Sequence, residues 1–127
     1  MSFDWAQYLD LSQSLVDSVD GSTLDEAKLR CAISRAYYAA FCSARNFLVA
    51  SDSRLGEGMG HTEVRREFQL RRGRAGRFVA RTLVEMAIRR EDADYRNSYP
   101  HFDLKGHAGR SLADAKIVIE SIARLAN

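Results

Sequence analysis

Apolar residues in this chain recur at helical spacing in four long stretches and show no strand-like alternation anywhere. A single proline, Pro100, interrupts 127 residues, so little in the backbone stops helices from running on. Residues 3–19 place Phe3, Leu9, Leu11, Leu15, Val16 and Val19 near one face, and Asp20-Gly21-Ser22 ends the stretch. Thr23 and Glu26 then have the three-residue spacing of a capping box. A second helix is expected over about 24–50, with Leu29, Ile33, Ala36, Ala40, Phe41, Ala44, Phe47 and Leu48 in register. Its many alanines admit a close partner. Residues 51–60 hold three glycines and read as a loop. A short helix follows at about 61–71, then a break near Gly73 and Gly76. Further helices are expected over 77–95 and 108–126, joined by a connection over 96–106. The expectation is one all-α domain over 1–127, an up-and-down four-helix bundle with an extra short helix.

Cys31 and Cys42 are 11 positions apart in what reads as one helix. At the helical rise their Cα atoms stand roughly 16 Å apart, beyond the 4.4–6.8 Å or so that a disulfide spans. Reduced thiols point to a cytoplasmic protein. No apolar run of about 18 residues is present, so no membrane span is expected. The first residues lack the basic-then-apolar pattern of a secretory signal. Two cysteines and three scattered histidines make a structural zinc site unlikely on composition, and no cofactor is implied.

Charge is small in total and uneven in place. From Arg65 to Arg90 there are nine arginines and two acids, a net of +7 in a chain whose total is +2, so the remainder carries −5. Arginine outnumbers lysine sixteen to three, and its planar donor fork suits phosphate and carboxylate. The block reads either as a solvated helical surface or as one that meets a polyanion. Arg65, Arg66, Arg71, Arg72, Arg74, Arg77 and Arg81 are its candidate phosphate contacts.

Two segments put polar groups where a bundle wants leucine: Ser34-Arg35-Ala36-Tyr37-Tyr38-Ala39-Ala40-Phe41 and Arg89-Arg90-Glu91-Asp92-Ala93-Asp94-Tyr95. Positions 79, 83, 86 and 90 share a face, so Arg90 projects with core residues, and Asp94 lies one turn on. If the two helices pack, Ser34, Arg35 and Tyr38 meet Arg90, Asp94 and Tyr95. That cluster is either a satisfied buried network fixing the bundle's register or a site. His61 reads as a helix-start residue, and His101 and His107 as residues of the last connection.

These residues resemble the HEPN domains of bacteria and archaea, in the small stand-alone group. The matching features are Phe3-Asp4-Trp5 with Tyr8-Leu9, the run Ala32 to Phe41, the segment from His61 to Phe68, and Arg90-x-x-Ala93-Asp94-Tyr95. The resemblance spans nearly the whole chain. It implies a homodimer of helical bundles and a toxin–antitoxin or defence setting. In the family's active ribonucleases the site forms across the dimer cleft. They cut RNA without metal, using an Arg-x(4–6)-His motif and the RNA 2′-OH. The arginine stabilises phosphate charge and the histidine moves protons. Here Arg90 aligns with the motif arginine, but Tyr95 stands where the histidine would be, and Glu91 where an asparagine is common. A tyrosine with a pKa near 10 is a poor base at pH 7. Some family toxins are silenced when a partner nucleotidyltransferase adds AMP to a tyrosine; the matching place here is Asn97, leaving Tyr95 or Tyr99 as substitutes. The resemblance leaves two readings: a metal-independent ribonuclease using Arg90, Asp94 and Tyr95, or a catalytically silent module that dimerises and binds a partner or a nucleotide.

Overall fold

The computed structural model describes residues 2–100 and 103–126, so His101 lies outside the described residues. Among the described residues there are five helices and no strand: α1 (Gln7–Asp17), α2 (Asp25–Ser51), α3 (His61–Arg71), α4 (Gly73–Tyr95) and α5 (Leu104–Ala126). The all-α expectation holds as a helical bundle, with three long helices and two short ones. None of them is long and apolar enough to cross a membrane.

The helix ends depart from the sequence reading for identifiable reasons. The Thr23–Glu26 capping box does not form; α2 has no side-chain cap bond. Glu26 instead pairs with Arg30 at 3.0 Å. The Asp25 carboxylate accepts from the Asp20 and Gly21 amides at 3.2 and 2.7 Å, which ties the α1–α2 turn together. The expected break near Gly73 and Gly76 is one sharp turn. Gly73 takes φ +68°, the left-handed conformation that ends α3, and α4 begins at once. Gly76 lies inside the first turn of α4, where an added Cβ would collide with the Phe68 carbonyl and the Arg72 side chain. Finally, α5 starts at Leu104 rather than 108. The Asp103 carboxylate accepts the Gly106 amide at 2.8 Å, a cap that satisfies one orphan donor.

All four other helices pack on α2. Its Ala32, Ala36, Ala39, Ala40 and Ala44 have no exposed surface, and their small side chains let neighbours approach. The Ser12 hydroxyl of α1 reaches the Ala32 carbonyl at 2.6 Å, a contact that a bulkier face would prevent. Around this spine Tyr37, Leu48, Val64, Phe68, Leu83, Met86 and Val118 are fully buried. Such burial supplies the main folding free energy, at about 25 cal/mol per Å2 of apolar surface. Both cysteines are free, Cys31 exposed and Cys42 buried.

Arg89 carries the polar lock between α4 and α5. Its guanidinium meets the Asp114 carboxylate at 2.5 Å and the Ser111 hydroxyl at 2.9 Å, with both charged side chains nearly buried. Arg110 also approaches Asp114, at 3.7 Å, from a largely exposed position. Leaving one partner of a buried pair alone costs far more than losing an exposed pair. Arg89→Ala should therefore destabilise the fold by about 3 kcal/mol in urea denaturation. Arg110→Ala should change it by less than about 0.5 kcal/mol. Equal effects would contradict this assignment.

Candidate functional site

The two polar segments do meet, where α2 crosses the C-terminal half of α4. The Ser34 hydroxyl donates to Asp94 at 3.2 Å, and Arg35 donates to the Ser34 oxygen at 3.1 Å. Arg90 and Asp94 form an ion pair at 3.6 Å, one turn apart on α4. Arg30 holds the end of α4 in place by donating to the carbonyls of Ala93 and Arg96 at 3.2 and 2.5 Å. These are the orphan acceptors of a helix C-terminus.

Arg90 is held by aromatic faces more than by its carboxylate. Its guanidinium carbon lies 5.6, 5.7 and 5.8 Å from the ring centres of Tyr37, Tyr38 and Tyr95. Its Nε is buried and has no hydrogen-bond partner among the described residues. A buried donor left unpaired costs about 1–3 kcal/mol, so an acceptor arriving here would be favoured. Tyr95 itself is 73% exposed, a lid over Arg90 rather than a buried member of the cluster.

Next to this cluster opens a cleft of about 440 Å3 between α1, α2 and the start of α3. Trp5 and Tyr8 form one wall, Arg35, Tyr38, Phe41 and Arg45 the α2 wall, and Met59, Gly60 and His61 the third side. The Arg35 guanidinium stands 5.0 Å from the Tyr8 ring centre and 5.2 Å from that of Tyr38. Arg45 lies 5.5 Å from the Phe41 ring centre, and its buried Nε is also unpartnered among the described residues. No carboxylate lines the cleft, and neither Arg35 nor Arg45 is in an ion pair among the described residues.

His61 joins the cluster in a way that the spacing did not expose. It stacks on Phe41 at 4.2 Å between ring centres, and its Nδ1 lies 2.5 Å from the Tyr37 hydroxyl. Burial lowers its pKa below 6.5, and the positive charges of Arg90, Arg65 and Arg45 push it the same way. Burial pushes the Tyr37 hydroxyl up to about 12, against the pull of Arg65 and Arg90. At neutral pH His61 is uncharged and Tyr37 keeps its proton. The sequence marked His61 as a helix-start residue after three glycines and as the first residue of the His61–Phe68 segment, but nothing local placed it against Tyr37 and Phe41.

The arginine block divides. Arg65 is close enough to act on His61 and Tyr37. Arg65, Arg66 and Arg81 line a shallow groove between α3 and α4, floored by Leu70, Ala80 and Val84. Arg71 pairs with Glu67 at 3.2 Å, and Arg72 lies 5.1 Å from the Phe47 ring centre, where it packs α3 onto α2. Arg74 and Arg77 are exposed. His107 bonds the Tyr99 hydroxyl at 2.8 Å on the other side of Arg30, outside the cleft's lining. No group of three or more His, Cys, Asp or Glu residues among the described residues is placed to hold a metal ion.

Comparison with protein-family models, with curated proteins and with solved structures finds no match for this chain.

The lowered pKa of His61 has a consequence for stability. The unfolded chain binds a proton at this residue near pH 6.5, while the folded chain resists it. Stability from this group is therefore complete above pH 6.5 and declines as pH falls through that value toward the folded pKa. The thermal midpoint should fall more steeply between pH 7.5 and 5.5, values about a unit either side of the imidazole range, in the wild type than in His61→Gln. Parallel slopes would place the charge of His61 outside the arginine cluster's influence.

Proposed function

We propose that this chain is a HEPN-type protein that binds RNA through its phosphates, in the cleft beside Arg90, and that it works as a homodimer in a toxin–antitoxin or defence setting. The observation that carries the reading is the charge of the cleft: Arg35 and Arg45 stand on its lining without carboxylate partners, the buried Arg45 Nε has no acceptor among the described residues, and no acid lines it, while Arg90 with a second unpaired Nε packs against Tyr38 beside it. Phosphate supplies the missing acceptors, and arginine's fork suits it. Trp5, Tyr8 and Tyr38 add aromatic faces on which unpaired bases can stack, at about 1–3 kcal/mol per base. Arg65, Arg66 and Arg81 extend the positive surface along α3 and α4.

The homodimer is supported by a seam on α4. Arg77, Arg81, Val84, Ile88, Glu91 and Tyr95 follow one another at spacings of four and three and are all exposed. Two such helices packed antiparallel about the middle of the seam would bring Val84 against Ile88, Arg81 against Glu91, and Arg77 against Tyr95. Each of these pairings is favourable across a twofold axis. Tyr95 would then carry the seam to the edge of each Arg90 site. A nucleotidyltransferase partner of the kind the resemblance implies would find Tyr95 exposed in the separate protomer, before the seam closes over it, whereas Tyr99 is partly buried.

A second reading, metal-independent cleavage of RNA, is favoured by the neutral imidazole of His61 beside Arg45, Arg65 and Arg90. In this reading His61, rather than Tyr95, does the proton chemistry that the motif histidine does elsewhere. The two readings separate on incubation of mixed RNA in EDTA. Cyclic phosphate ends that vanish in Arg90→Ala would establish cleavage; intact RNA with a well-folded wild type would leave binding alone.

For binding, Arg90→Ala and Arg45→Ala should each weaken RNA affinity about tenfold, which is about 1.4 kcal/mol. Each should also flatten the dependence of log affinity on log salt by about one unit. Affinity unchanged by both substitutions would overturn the reading. Ile88→Glu should shift the solution mass from dimer toward monomer in sedimentation, and an unchanged mass would remove the α4 seam as the interface.

A further inference from the structure

The Tyr37–His61 contact has a direction. The Tyr37 side chain is fully buried, and its hydroxyl has no hydrogen-bond partner among the described residues other than His61 Nδ1. A buried hydroxyl proton without an acceptor is costly. If Nδ1 carried the imidazole proton, it would donate to the Tyr37 oxygen and strand the Tyr37 proton against apolar neighbours. If Nδ1 is the acceptor, both groups are satisfied. The neutral ring then carries its single proton on Nε2, the nitrogen on the far side from Tyr37.

We propose that the cleft between α1, α2 and α3 is a phosphate subsite in which His61 acts as a fixed hydrogen-bond donor. Nε2–H donates to a phosphate oxygen beside Arg35 and Arg45, and Tyr37 sets the tautomer. His61 is thus a ligand-contacting donor, and Tyr37 is its positioning residue. This rests on the phosphate-binding reading above and adds to it the role of one imidazole nitrogen. The charged groups on the lining, the guanidiniums of Arg35 and Arg45, then donate together with Nε2–H, and the Tyr8 and Tyr38 hydroxyls beside them can donate as well. The groups facing the imidazole from each packed element are Tyr37, Tyr38 and Arg45 on α2, Arg65 on α3 and Arg90 on α4. All of its charged neighbours are cations, so the ring stays neutral at physiological pH and the donor needs no protonation event. The subsite accepts a phosphate monoester or a diester alike. The chemistry of the donors is the same for a free nucleotide and for a phosphate within RNA.

The direct test is nitrogen NMR of the His61 ring in the intact protein at pH 7.5, where about nine in ten unperturbed imidazoles are already neutral. The expected spectrum shows Nδ1 unprotonated and Nε2 protonated. Tyr37→Phe, which keeps the ring, should abolish that preference and mix the tautomers. Inorganic phosphate, but not chloride at equal ionic strength, should move the His61 Nε2 and Arg45 Nε resonances. A 5′-mononucleotide and a short RNA lacking terminal phosphate should each do the same, and whichever binds at lower concentration identifies the source of the phosphate. Protonated Nδ1 in the wild type would overturn the proposal and give the cleft a base instead. Resonances unmoved by phosphate would overturn the subsite. If phosphate moves both resonances while RNA does not bind, the subsite stands and the RNA reading fails.

Discussion

The close packing of the α2 alanine face is the constraint on which the rest of the structure depends. Five alanines with no exposed surface let α1, α4 and α5 approach one helix from different sides. That approach brings Ser34 to Asp94, and it stacks Tyr37, Tyr38 and Phe41 where Arg90 and His61 can rest on them. A leucine at any of these alanines would add about three methylenes to a filled space, and overpacking of this kind costs about 1–3 kcal/mol. The site is therefore a consequence of the core: the same helix supplies the small residues that close the bundle and the aromatic platform that holds the cations.

Adjacent arginines on α4 divide the work because a helix turns 100° between them, about 3.6 residues to the turn. Arg89 points to α5, where Asp114 and Ser111 satisfy it. Arg90 points to α2, where it meets ring faces and a longer ion pair, and where its Nε stays unpaired. The first arginine fixes how two helices sit. The second keeps an unpaired donor, packed against Tyr38 on the wall of the cleft. A neutral His61 follows from the same arrangement, because the packing buries the ring and a fourth positive charge beside Arg90, Arg65 and Arg45 would be repelled.

Much of this was legible in the sequence, and the residues show why some was not. Helical spacing of apolar residues located α1, α2, α4 and α5, and the glycines on either side bounded the short α3. Their ends were less legible. Glu26 was drawn away from its capping box by Arg30, and the Asp103 cap starts α5 at Leu104, inside the stretch read as a connection. The meeting of Ser34 with Asp94 followed from placing both on inward faces. What spacing could not show was which arginine is locked, since Arg89 finds its partner 25 residues away on another helix. Nor could it show that His61, 24 residues from Tyr37, returns to its hydroxyl. Both contacts depend on tertiary packing that no local pattern encodes.

The most direct measurement is a map of the arginine Nε–H resonances as RNA is added to the protein. Arg45, on the cleft's lining, and Arg90, packed against Tyr38 at its edge, should move first, ahead of Arg72, whose buried Nε is likewise unpaired among the described residues but lies outside the cleft's lining. Shifts confined to the exposed Arg74, Arg77 and Arg81, with Arg45 and Arg90 unmoved, would contradict this order. That result would place the nucleic acid on the outer face of α4 and return the buried cations to a purely structural role.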